Sequence, residues 1–108
     1  MTAFFQREKA TDNTYEFLQK RISELTSNTV YTLSLLHYDS KIFGNVIVEL
    51  VFGDTVVRFI YDRGDVYRDQ KLLGTNEWLN QELVFSHTQK PTEKYDLLLK
   101  AIEDFVKT

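Results

Sequence analysis

The chain has 108 residues, 43% apolar and 14% aromatic against 27% charged, with a formal charge of −3. Those values describe one globular domain, 1–108, able to bury a core unaided, and not a disordered segment. They exclude a general attraction for nucleic acid; the absence of cysteine excludes disulfides and thiolate metal sites; and no apolar run approaches the roughly 20 residues that cross a bilayer.

From Met1 to Asp12 the only apolar run is Ala3-Phe4-Phe5, followed by the charged Arg7-Glu8-Lys9. That is not the pattern of a secretory signal, so a cytoplasmic location without membrane attachment is expected. A first helix is expected from Thr14 to Thr26, with Asn13 as its cap and Glu16 in the capping-box position. Its apolar stripe is Tyr15, Leu18, Ile22 and Leu25, at spacings of three, four and three. Ser27-Asn28 ends it.

A strand from about Thr29 to Tyr38 follows, with Tyr31, Leu33 and Leu35 on one face. Next comes a hairpin from Asn45 to Asp62 about a two-residue turn at Gly53-Asp54. That turn sets Phe52 opposite Thr55, Leu50 opposite Val57, Val48 opposite Phe59 and Val46 opposite Tyr61, which makes a core face. The opposite face carries Ile47, Glu49 and Val51 beside Val56, Arg58 and Ile60, with Glu49 directly across from Arg58 as a cross-strand ion pair. At Asp62-Arg63-Gly64 a three-residue loop is expected, because a two-residue Arg63-Gly64 loop sets Asp62 against Asp65. Val66-Tyr67-Arg68 then forms a short edge strand.

Between Asp69 and Gln89 two readings stay open: a short helix capped by Thr75 and containing Trp78, Leu79 and Leu83, or an extended Leu83-Val84-Phe85. A last helix carries Tyr95, Leu98, Ile102 and Phe105, widened by Leu97, Leu99 and Val106, with Pro91 in its first turn. The fold class is therefore α+β. The expected architecture is a two-layer sandwich, with an antiparallel sheet of three to four strands and the N-terminal and C-terminal helices packed on one face.

No catalytic constellation is present. His37 and His87 have no partner motif, no phosphate or dinucleotide glycine pattern occurs, and no serine stands in a nucleophile setting. No metal ligands and no cofactor are assigned. Asp54, Asp62, Asp65 and Asp69 fall at or near turns, where aspartate is a common turn former. Asp69-Gln70-Lys71 matches the acid-x-Lys fragment of two-strand nucleases but lies past the strand that would carry it. A metal-dependent nuclease is the least favoured reading.

The second sheet face is too apolar for full solvation and too charged for a deep core. It is covered by the segment from Leu72 to Phe85, by a second copy of the chain, or by a partner. The partner reading takes Ile47, Glu49, Val51, Arg58, Ile60, Asp62, Asp65 and Tyr67 as contact residues, with Tyr67 and Trp78 as aromatic anchors and the acidic turns steering a basic protein. Phe43-Gly44-Asn45, Val46-Ile47-Val48-Glu49 and the run from Val57 to Tyr67, with its Arg58-Phe59-Ile60-Tyr61-Asp62-Arg63-Gly64 ending, resemble small bacterial immunity proteins of polymorphic or contact-dependent toxin systems. The resemblance is confined to the hairpin region. It implies a non-enzymatic inhibitor that binds one toxin and occludes its site, and it carries over no binding residues. The alternative is a self-associating accessory protein of bacterial or phage origin, a homodimer through the same face.

Overall fold

The computed structural model describes residues 13–89 and 93–107. The expectations for residues 1–12 and for Pro91 lie outside them. The elements run α1 (Thr14–Thr26), β1 (Thr32–Asp39), β2 (Asn45–Phe52), β3 (Thr55–Asp62), β4 (Asp65–Leu72), β5 (Leu79–Phe85) and α2 (Asp96–Val106). The chain is thus α+β, with an open five-stranded antiparallel sheet in the order β1-β2-β3-β4-β5. The sheet has one strand more than the upper sequence estimate, because residues 79–85 are extended and not helical.

Helix α1 has the expected bounds, and Leu18 and Ile22 are fully buried. Asn13 caps it differently from expectation. Its side chain makes no capping bond, while its backbone carbonyl accepts from the Phe17 N–H at 3.1 Å. At the other end the Thr26 hydroxyl is buried and donates to the Ile22 carbonyl at 3.0 Å.

Hairpin β2-β3 has the register read from its turn, from Phe52 opposite Thr55 to Val46 opposite Tyr61. The inner face supplies Val46, Val48, Leu50, Val57, Phe59, Tyr61 and Val66 to one buried cluster, which also contains Leu18 and Ile22 of α1 and Leu98, Leu99, Ala101, Ile102 and Val106 of α2. Both helices therefore bury their stripes against the same side chains. Phe105 closes the cluster edge-on to Phe59, with ring centroids 5.7 Å apart.

Three expectations about the strands are corrected. A bulge between Leu33 and Leu35 changes the parity of β1. Leu33, Leu36 and Tyr38 pack on the core, and Leu35 turns to the opposite face, 41% exposed. The β3-β4 turn has two residues, with φ of +52° at Arg63 and +95° at Gly64, the pair of positive values that a type I′ turn requires. It does set Asp62 opposite Asp65, and the carboxylates escape repulsion by taking different partners. Asp62 accepts from the Asn45 amide at 3.0 Å, whereas Asp65 accepts the His87 backbone N–H at 2.6 Å. Finally, β4 is a full interior strand of eight residues and not a short edge.

Candidate functional site

The registers sort the outer face into rows that cross the sheet. At the turn end Asp39, Asn45, Asp62 and Asp65 align; next come His37, Ile47, Ile60, Tyr67 and Leu83; then Leu35, Glu49, Arg58 and Asp69; and last Thr32, Val51, Val56 and Lys71. Successive rows lie about 7 Å apart, and a row across all five strands is about 19 Å long. The second row is apolar apart from its histidine. Ile47, Ile60 and Tyr67 are half-buried, and Leu83 is 52% exposed.

The third row is electrostatic, though not as the sequence suggests. Glu49 is opposite Arg58 in register, but the guanidinium turns to the neighbouring strand. It donates from Nε to Asp69 Oδ1 at 2.9 Å and from the second nitrogen to Oδ2 at 2.5 Å. This bidentate fork is the strongest geometry open to the pair. Gln81 adds an amide donor to Asp69 Oδ2 at 3.3 Å. Arg58 Cζ lies over the Trp78 ring, 4.0 Å from its centroid, with Lys71 Nζ 4.8 Å from the same ring. Asp69 is consequently only 3% exposed. It is a mid-strand residue, so the expectation that it sits at a turn is corrected. The loop after β4 folds back far enough to cover this pair.

At the turn end the two aspartates are engaged. Asp62 also meets Arg63 Nε at 3.3 Å. Asp65 takes the His87 ring Nδ1 at 2.9 Å as well as its backbone N–H, and the Tyr67 hydroxyl donates to its other oxygen at 3.4 Å. The His87 backbone bond, followed by the His87 ring, holds the Asp65 carboxyl below the usual carboxylate range. Desolvation, reinforced by Asp65, pushes the Tyr67 phenol up.

All eight residues named from the sequence as contacts therefore share one face: Ile47, Glu49, Val51, Arg58, Ile60 and Tyr67 in its middle, Asp62 and Asp65 at its end. Sequence reading missed Asp69, Gln81 and Leu83 as parts of it. No group of three or more His, Asp or Glu that could hold a metal occurs among the described residues. In the acid-x-Lys fragment both Asp69 oxygens already accept from Arg58, and Lys71 is drawn to Trp78. No described helix is long and apolar enough to cross a membrane. No protein-family model, no curated protein and no solved structure matches the chain.

Proposed function

We propose that the chain is a non-catalytic protein-binding module, an inhibitor of the immunity type, which meets a basic protein with the outer face of its sheet. In this reading the two helices form one layer over the inner face and leave the other face to the partner. One observation carries it: the row of Ile47, Ile60, Tyr67 and Leu83 stays partly open to solvent across four strands. An apolar centre bordered by charge is the usual anatomy of a protein interface. The bordering charge favours a basic partner, since among the described residues the strands place Asp39, Glu49, Asp62 and Asp65 on this face against Lys71, with Arg58 and Asp69 bound to each other. The clean steering charge is Glu49; reversing Asp62 or Asp65 would also unfasten Asn45 or His87.

A photo-reactive residue in place of Leu83, compared with one in place of the solvent-facing Gln19 on α1, tests the surface. Cross-links to a basic protein from position 83 and not from 19 support the reading. Leu83→Lys then weakens binding of that protein severalfold or more, because it places a charge in the apolar row. Glu49→Gln slows association most at low salt. Equal cross-linking at both positions, or sedimentation showing a stable homodimer that Leu83→Lys dissociates, overturns it; the homodimer establishes self-association instead.

A further inference from the structure

A cleft of about 690 Å³ opens at the turn end of the sheet, on the side of α2, with Tyr38, Tyr61, Phe43, Arg63, His87 and Lys94 in its lining. Its volume lies within the range of small-molecule sites. The chain carries 16 acidic against 13 basic residues, yet among the described residues the charged groups lining this cleft are Arg63, His87 and Lys94, all basic. They arrive from three separate places: the β3-β4 turn, the segment after β5, and the residues before α2.

Arg63 and His87 are each bonded to a neighbouring carboxylate. Arg63 is tethered to Asp62 and lies over the Phe43 ring, 4.7 Å from its centroid. His87 uses Nδ1 on Asp65, which leaves Nε2 as the polar atom of the ring without that commitment. Lys94 reaches in over Gly44, where a Cβ would stand 2.6 Å from Nζ and 2.7 Å from the Tyr95 hydroxyl. Any side chain at position 44 would displace the ammonium. Gly64 does the same for His87, whose Cβ lies 2.9 Å from the place a side chain would begin. The floor is aromatic, with Tyr61 against Tyr95 at 4.9 Å between centroids, and Tyr95 fixed by its bond to the Gly44 carbonyl at 2.8 Å.

We infer that this cleft binds a small molecule that joins an oxyanion, phosphate or carboxylate, to a flat apolar ring. Arg63 and Lys94 neutralise the oxyanion through charge-assisted bonds, His87 adds a ring nitrogen, and the tyrosines and Phe43 receive the ring. The site opens on the side of α2 and does not depend on the protein-binding proposal.

The test is an amide-resolved NMR titration of the whole chain with phenyl phosphate, benzoate, inorganic phosphate and benzyl alcohol. The expected result is saturable shifts confined to Gly44, Gly64, His87 and Leu97 with phenyl phosphate or benzoate, whichever oxyanion the site takes. Inorganic phosphate binds more weakly, and benzyl alcohol gives no saturable shift. Lys94→Met, with an unchanged amide spectrum elsewhere, weakens the preferred ligand about three- to tenfold, the range for a part-exposed charged contact. Benzyl alcohol binding as well as the anions, shifts scattered over the molecule, or Lys94→Met binding like the parent would overturn the inference.

Discussion

The Arg58–Asp69 pair gives the sharpest test of how the outer face is built. Asp69→Asn keeps shape and removes the charge that receives a guanidinium whose side chain is only 20% exposed. Breaking a buried pair from one side costs about 3–5 kcal/mol; the residual exposure of Arg58 places this one just below that range, about 2–3 kcal/mol. For a domain whose total stability is about 5–15 kcal/mol, that loss lowers the urea midpoint by about 1–2 M. Glu49→Gln, one strand away on the other side of Arg58, should move it by less than about 0.5 kcal/mol, because the guanidinium is already spent on Asp69. Arg58→Met with Asp69→Leu should regain most of the loss, since apolar replacement of a buried pair is often neutral. Urea unfolding followed by tryptophan fluorescence reads all four proteins, and Trp78 on Arg58 makes the signal local. A loss below about 0.5 kcal/mol for Asp69→Asn, or a larger effect at Glu49 than at Asp69, would refute this reasoning.

Two further outcomes concern pH. Burial first, then Tyr38 and Tyr61, raises the Tyr95 phenol far above its ordinary value, so its stabilisation is whole below about pH 10 and is lost as pH climbs beyond that; Tyr95→Phe should flatten the alkaline fall in urea midpoint while costing about 1 kcal/mol at neutral pH through the lost bond to Gly44. Asp65 has the opposite sign: its lowered carboxyl stabilises the fold above about pH 4 and that contribution disappears as pH falls further, so the acid limb of the same measurement should be shallower for Asp65→Asn than for the parent.

Local rules carried the sequence reading as far as β3. The stripe of α1, the stripe of α2 and the Gly53-Asp54 register follow from spacing alone, and they place most of their apolar residues in the observed core; Tyr15 and Phe52, expected on that face, are instead 40% and 51% exposed at its ends. At Asp62-Arg63-Gly64-Asp65 like charge argues against the two-residue turn, while the hydrogen bonds that permit it come from distant residues. Asn45 and His87, 17 and 22 residues away from the aspartates they bind, make the two-residue turn acceptable. Accepting it would have aligned Arg58 with Asp69 by counting outward from the turn, exposing the true ion pair and the full length of β4. Strand β5 was hidden for another reason. Asn80, at φ +60°, interrupts the alternation, and much of the strand is exposed, so no apolar period marks it. The bulge at Ser34, flanked by leucines, likewise gives no signal before β1 is set against β2. Of the outer face, Ile47, Glu49, Val51, Val56, Arg58 and Ile60 were legible because hairpin β2-β3 fixes them; Gln81 and Leu83 come from the strand that could not be read.

The charged row also answers a problem that the apolar rows create. Strand register is well defined when one face is apolar and the other polar, since a one-residue slip then exposes the core. Here Ile47, Val51, Val56 and Ile60 stand on the outer face, so a slipped β3 would bring Val56 and Ile60 inward and offset part of the loss of Phe59 and Tyr61 from the core. What such a slip cannot tolerate is burial of Arg58 against the helices with Asp69 left unpaired, a penalty of several kcal/mol. The pair thus discriminates between registers more than it adds to net stability, which is the best-attested use of buried ion pairs. The double apolar variant, Arg58→Met with Asp69→Leu, separates the two roles: its urea midpoint should stay near the parent's while its amide spectrum shows a second set of β3 and β4 resonances. A single sharp set would assign register to the Asp62 and Asp65 contacts at the turn alone.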